Sequence, residues 1–238
     1  MKKFHKILMF LVLAVFLVAG NVWAISYTGS ITSCDGMSAT ASWSCNDDDP
    51  QTQPQPGATL SWVVDNETNG YWTYAYTFNV EEKGISHVII EVSDNFTSDN
   101  IYAGTTSGYQ SDDDPTTYTE VNQGKSNPGI PGNLFGIKWV GLGSVSELVW
   151  NWQIVTDRSP MWGDFYAKSG TDNDVWVYAY NTGFGTDPTT PIGSGNAGGW
   201  VLVPDTQTTV PEPATMLLLG SGLIGLGVFG RKKFFKRG

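Results

Sequence analysis

Two segments of this 238-residue chain carry runs of three aspartates, and such runs can bind hard metal ions. The two runs are Asp47, Asp48 and Asp49, and Asp112, Asp113 and Asp114, each followed by a proline. Carboxylate oxygens at this density suit calcium, which extracellular modules bind weakly. Neither run has the glycine and the distal glutamate of an EF-hand loop, so we favour solvated surface charge over calcium binding. Calcium is the one cofactor that the sequence suggests.

Three aromatic residues are candidates for sugar binding. Trp162, Phe165 and Tyr166 lie in the segment SPMWGDFY, which breaks strand alternation and contains proline and glycine. Exposed aromatic rings can stack on the faces of sugars. The alternative is a structural turn that joins two strands, and we favour it over sugar binding.

Residue types suited to catalysis are few. His87 is the single histidine outside the N-terminal segment, which excludes histidine-based zinc sites and histidine pairs. It begins the apolar run HVIIEV, so we expect a strand residue at a sheet edge rather than a member of a catalytic triad. Glu91 and Glu147 lie in predicted strands and could form the carboxylate pair of a glycosidase, although no spacing demands it. We therefore predict no catalytic residues and no enzymatic activity.

The segments that must position these residues alternate between apolar and polar side chains. In residues 72–80, one face carries Trp72, Tyr74, Tyr76, Phe78 and Val80. Further strand-like runs are residues 60–64, 87–92, 136–140, 145–155, 175–180 and 200–203, with turn residues between them. The pattern predicts an all-β body, an antiparallel, jelly-roll-like β-sandwich. Long loops are expected at residues 46–57, 97–132 and 181–199.

Both ends of the chain carry targeting features. Residues 1–6 are basic, residues 7–19 are an unbroken apolar run, and Ala24 provides a small residue for signal peptidase. We predict a signal peptide at residues 1–24, an exported domain at residues 25–205 and a linker at residues 206–210. Residues 214–230 carry no charge and are predicted to form a C-terminal transmembrane helix.

The part of the chain between these ends is acidic and contains both cysteines. Residues 25–209 have 22 acidic and five basic side chains, a formal net charge of −17. Such a surface repels nucleic acid and anionic lipid, so we expect neither as a partner. Because exported proteins meet an oxidising compartment, we predict a disulfide between Cys34 and Cys45.

The C-terminal tail resembles the PEP-CTERM sorting signal of Gram-negative bacteria. The resemblance is confined to residues 210–238 and rests on a recognition element, a Leu- and Gly-rich span and a basic stop. The recognition element is Val210, Pro211, Glu212 and Pro213, and the basic membrane stop is Arg231, Lys232 and Lys233. In that family the Pro-Glu-Pro element is recognised by exosortase, a membrane-embedded transpeptidase-like enzyme, in species that make exopolysaccharide.

The resemblance implies a route for the protein. The protein would be exported across the inner membrane, cut by signal peptidase, and held transiently in the membrane by its C-terminal helix. Exosortase would then pass it to the cell surface or the extracellular matrix. We expect a non-catalytic protein associated with exopolysaccharide or biofilm.

Two alternatives to this function remain open. An exposed linear array of aromatic rings would favour a carbohydrate-binding module. Two facing carboxylates in a cleft would favour a glycosidase-like jelly-roll enzyme.

Overall fold

The computed structural model describes most of the body of the chain. The described residues are 25–48, 52–66, 70–106, 115–120, 127–141, 147–188, 192–195, 198–206 and 220–221. Ala24–Thr209 forms one compact unit.

The described part of the body consists of strands of two to nine residues, with two 3-10 turns at Ala41–Trp43 and Ser98–Asn100. The strands are β1 (Ser26–Thr32), β2 (Met37–Ala39), β3 (Cys45–Asn46), β4 (Gln55–Pro56), β5 (Ala58–Asn66), β6 (Trp72–Val80), β7 (His87–Glu91), β8 (Thr116–Tyr118), β9 (Leu134–Val140), β10 (Val149–Thr156), β11 (Met161–Gly163), β12 (Phe165–Asp172), β13 (Val175–Asn181) and β14 (Val201–Val203).

Within the described residues, the strands form two larger sheets and two small ones, and every pairing between these strands is antiparallel. One sheet has the order β1-β5-β6-β10, and the other has the order β2-β13-β12-β7-β9-β8. The small sheets are β11-β14 and β3-β4. Because β7 lies between β12 and β9, the expected position of His87 at a sheet edge is wrong. His87 is 5% exposed.

Aromatic side chains from the two larger sheets share one hydrophobic core. In the four-stranded sheet the register places Trp62 opposite Tyr76 and Tyr76 opposite Trp152, so three rings form a row. Trp139 of β9 packs on this row from the six-stranded sheet, with its ring centroid 6.1 Å from that of Trp152. Packing of large rings at such distances stabilises the core beyond their buried area.

The predicted all-β, antiparallel body is confirmed. The alternation in residues 72–80 corresponds to β6, and the runs at residues 60–64 and 175–180 fall within β5 and β13. The strands β1 and β12 were not predicted. The jelly-roll connectivity stays a prediction.

The predicted targeting segments fall largely outside the described residues. This holds for the signal peptide at residues 1–24, and for the span at residues 214–230 apart from Gly220 and Ser221, which are helical. In the part of the chain that the structure describes, no helix has the length and apolarity needed to cross a membrane.

Candidate functional site

Four acidic side chains meet near one end of the six-stranded sheet, and we call them the carboxylate cluster. Glu91 is the last residue of β7, Asp164 separates β11 from β12, and Asp205 follows β14 by two residues. Asp187 comes from the segment after β13. Carboxylate oxygens of Glu91, Asp187 and Asp205 all lie within 4.8 Å of one another.

Strand register brings Glu91 and Asp164 together. β7 pairs with β12 so that Ile90 lies opposite Phe165, and the next residues along the two strands are Glu91 and Asp164. The Glu91 N–H donates to the Asp164 carbonyl at 3.0 Å, and the Asp164 N–H donates to Glu91 Oε2 at 2.6 Å. This second bond fixes the position of the Glu91 carboxylate.

The small sheet β11-β14 supplies the other side of the cluster. Gly163 pairs with Val201, and Asp205 lies just beyond the end of β14. A Cβ atom at residue 163 would lie 2.6 Å from Glu91 Oε2, closer than such contacts allow. A glycine at this position therefore makes room for the Glu91 carboxylate.

Burial and mutual repulsion raise the pKa values of the cluster. Burial raises the pKa of Glu91 from 4.5 to about 9, and the charges of Asp164, Asp187 and Asp205 contribute to the rise. The hydrogen bond from the Asp164 N–H lowers this pKa and so opposes the rise. Burial also raises the pKa of Asp205 to about 6, with further contributions from Asp187, Asp94 and Asp164. Asp187 lies at the surface, but partial burial of its carboxylate raises its pKa as well.

Asp164 has its own set of hydrogen-bond donors. Asn181 Nδ2 donates to one carboxylate oxygen at 2.7 Å, and the Gly185 N–H donates to the other at 2.7 Å. Burial raises the pKa of Asp164 to about 6, and these two donors limit the rise. The Asp164 backbone N–H positions the Glu91 carboxylate, and its own carboxylate is held by Asn181 and Gly185.

The arrangement permits two kinds of chemistry. Converging carboxylate oxygens can hold a hard divalent cation. A carboxyl group with a raised pKa beside an ionised one can also serve as the acid and base of glycoside hydrolysis. Both kinds depend on Glu91.

The predicted carboxylate pair of Glu91 and Glu147 is not brought together. The Ile85 N–H donates to the Glu147 carbonyl at 3.1 Å, so Glu147 lies beside residue 85. Glu91 is six residues further along this largely extended segment, a distance of about 20 Å at about 3.3 Å per residue.

The three residues predicted to bind sugar lie in the interior. Phe165 and Tyr166 are 0% exposed and Trp162 is 8% exposed. The Tyr166 hydroxyl donates to the Pro128 carbonyl at 2.8 Å. The segment consists of β11 and the start of β12 rather than a turn, and its rings pack inside the protein instead of on the surface that sugar stacking requires.

The predicted disulfide is confirmed, since Cys34 and Cys45 are bonded with their Cα atoms 4.8 Å apart.

A cavity of about 420 Å³ lies beside Cys45, and Asp48 is among its lining residues. Asp47 is exposed like Asp48. The rest of the two predicted calcium-binding runs, Asp49, Asp112, Asp113 and Asp114, lies outside the described residues. Calcium binding by these runs stays a prediction.

The C-terminal segment is the part of the chain for which known proteins give a match. Residues 209–233 match the family of the PEP-CTERM protein-sorting motif. The chain carries a PEP-CTERM sorting motif. The matched range contains all of the predicted recognition and stop residues, which lie outside the residues that the structure describes. Comparison with curated proteins and with solved structures finds no match. The PEP-CTERM motif implies export and processing by exosortase at the membrane.

Sequence reasoning identified one member of the carboxylate cluster, Glu91, and missed the other three. Asp164 and Asp205 each follow the end of a short strand, where acidic residues are ordinary. Asp187 lies in a glycine-rich segment that was read as a loop. A search for acidic residues at strand ends would have found Glu91, Asp164 and Asp205 but not Asp187. It would not have shown which of these carboxylates lie close together.

Proposed function

We propose that this PEP-CTERM protein is a non-catalytic component of the cell surface or the extracellular matrix, associated with exopolysaccharide or biofilm. The sorting motif at residues 209–233 carries the proposal. The body supports it through a net charge of −17 that favours solubility outside the cell. A core of packed aromatic rings and a disulfide also suit an exported domain.

The experiment compares native cells with cells that lack exosortase. Intact-mass analysis of wild-type cells and matrix should show a species that begins near residue 25 and lacks residues 231–238. Without exosortase, the uncut tail should remain, and the protein should stay in the inner-membrane fraction. A strain that makes no exopolysaccharide should release the processed protein into the medium.

A tail variant gives the matched control. Replacing Pro211, Glu212 and Pro213 with alanine should reproduce the exosortase-deletion result, because it removes the recognition element and leaves the span and the basic stop intact. Identical masses and locations in all strains would show that exosortase does not sort this protein. Unchanged location without exopolysaccharide would remove the matrix association alone.

A row of exposed and half-buried aromatic residues on the β13 face opposite the main core favours carbohydrate binding as a second candidate function. Val177 and Ala179 are buried in the main core, so the alternate residues Trp176, Tyr178 and Tyr180 lie on the opposite face. Trp176 is 43% exposed. The ring centroids of Tyr178 and Tyr180 are 6.3 Å apart, with an angle of 13° between the ring planes.

Retention on the native exopolysaccharide tests this candidate. Trp176→Ala and Tyr180→Ala should each weaken retention while the protein remains folded, because aromatic side chains supply the stacking area. Tyr27→Ala, which removes a half-buried ring on β1, is the control. Equal retention of all three variants and the wild type would exclude β13 as a sugar-binding face.

The glycosidase-like alternative has a separate test at the carboxylate cluster. We expect no release of reducing sugar from the native exopolysaccharide. Release that disappears in Glu91→Gln but persists in Glu81→Gln would favour the enzyme and contradict the non-catalytic proposal.

A further inference from the structure

A buried hydroxyl group adjoins the carboxylate cluster. Ser93 is 0% exposed, and its Oγ has no hydrogen-bond partner among the residues that the structure describes. Leaving a buried hydroxyl without a partner is unfavourable, so this oxygen is available to a ligand or water at the cluster.

The backbone directs this hydroxyl toward the cluster. Ile90 and Val92 both pack in the main core, so Glu91 and Ser93 point to the opposite side of the extended segment. The Ser93 N–H donates to the Pro204 carbonyl at 3.3 Å, which places Ser93 next to Asp205. Ser93 therefore lies on the side of the Glu91 carboxylate and beside the second carboxylate of the cluster.

We propose that Glu91, Asp187 and Asp205 bind one divalent cation through their carboxylate oxygens, with Ser93 Oγ as a fourth oxygen ligand. The three carboxylate oxygens lie within 4.8 Å of one another. Two ligands on opposite sides of calcium are separated by at most about 5 Å, because each lies about 2.4 Å from the ion. The oxygens are therefore close enough to contact the same ion.

Charge balance favours occupation of the site. The ion pairs of the described residues join Lys83 to Asp172 and Arg158 to Asp157, so neither reaches the three proposed carboxylate ligands. A divalent cation offsets most of the repulsion among those three carboxylates.

The ligand set suits calcium better than magnesium. Magnesium requires near-ideal octahedral geometry at about 2.0–2.1 Å and keeps several waters, whereas calcium accepts six to eight oxygens in flexible arrangements. The exposed side of the site at Asp187 gives water access to the remaining coordination positions. Asp164 is left out of the ligand set because the carboxylates whose oxygens converge within 4.8 Å are those of Glu91, Asp187 and Asp205.

Thermal unfolding of the full chain, purified in detergent, tests the proposal. Adding 10 mM calcium chloride after chelation should raise the melting temperature by about 3–10 °C, for a weak site of about 0.1–1 mM affinity. Magnesium at the same concentration should raise it by less. Direct titration with terbium, which replaces calcium, should show a binding site that is lost when Glu91, Asp187 and Asp205 are replaced by their amides.

Two triple variants distinguish this site from the aspartate runs. Glu91→Gln/Asp187→Asn/Asp205→Asn should abolish the calcium response, and Asp47→Asn/Asp48→Asn/Asp49→Asn, which removes the same number of charges, should keep it. Ser93→Ala changes no charge and should weaken calcium binding several-fold. The Ser93 variant keeps the proposal testable if the triple cluster variant does not fold.

Three results would overturn the proposal. The first is that calcium does not change the melting temperature of the wild type. The second is that the calcium response is lost in the Asp47 triple variant but kept in the cluster variant. The third is that Ser93→Ala leaves the calcium affinity unchanged. The first two remove the site, and the third removes Ser93 from it.

Discussion

Replacing Glu91 with glutamine should stabilise the metal-free protein at neutral pH. The fold raises the pKa of Glu91 from 4.5 to about 9, so at pH 7 the folded state must either protonate this carboxyl group or bury its charge. Protonation at pH 7 costs about 3.5 kcal/mol, because pH 7 is about 2.5 units above the unfolded pKa and each unit corresponds to about 1.4 kcal/mol. Glutamine avoids that cost and still offers an oxygen to the Asp164 N–H.

The sign of the pH dependence follows from the direction of the shift. Between about pH 4.5 and pH 9 the folded protein binds more protons than the unfolded chain, so its stability decreases as the pH rises through this window. The stability difference between Glu91→Gln and the wild type should therefore be small at pH 5 and large at pH 8. Raised pKa values at Asp164 and Asp205, both about 6, should make the wild type itself less stable at pH 8 than at pH 5.

Urea unfolding in the presence of a chelator, followed by tryptophan fluorescence with the disulfide intact, measures this effect. With a slope of about 2–3 kcal/mol per molar urea, the midpoint at pH 7 should rise by about 1–2 M in Glu91→Gln. Glu81→Gln, at an exposed position, should leave the midpoint unchanged. If Glu91→Gln instead lowered the midpoint equally at pH 5 and pH 8, the carboxylate would be a favourable, ionised partner, and the argument from burial would be refuted.

Two further predictions concern the disulfide and the core. Alkylation of the unreduced protein should label neither Cys34 nor Cys45, and labelling of both thiols would contradict the disulfide. The double variant Cys34→Ser/Cys45→Ser should lower the free energy of unfolding, measured in urea, by about 3 kcal/mol. Trp162→Ala should lower the free energy of unfolding by about 3–5 kcal/mol, because this side chain is 8% exposed. Trp176→Ala should lower it by less than about 1 kcal/mol, because that side chain is 43% exposed. Equal costs for the two tryptophan variants would show that burial does not decide the role of Trp162.

The strands that sequence patterns predicted are those with one face in the core. β6 alternates large aromatic residues with small or polar ones along its whole length, and its burial alternates in the same way. β12 was missed because it begins with two consecutive buried rings, Phe165 and Tyr166, which pack on opposite sides of the sheet and break the two-residue period. β1 was missed because it is polar and lies at the edge of its sheet, where a strand needs few buried side chains.

The same difference between local and long-range information explains the sites. The sorting motif was readable because it is a linear pattern in one continuous segment. The disulfide was readable because the body contains two cysteines, 11 positions apart. Glu91 was a weak candidate from its sequence, and its partner was assigned wrongly to Glu147. The carboxylates that Glu91 does meet, at Asp187 and Asp205, are about 100 residues away along the chain.

The amino-acid sequence alone determined the sorting motif, the disulfide and the β character of the body, because each depends on residue type and short spacing. The tertiary structure decided which aromatic rings are buried and which carboxylates converge. Those outcomes depend on strand order and register: pairing of β7 with β12 sets Glu91 beside Asp164, and pairing of β11 with β14 brings Asp205 to the same end. A change of one residue in either register would turn the side chains to the other face, and no local pattern in the sequence encodes that choice.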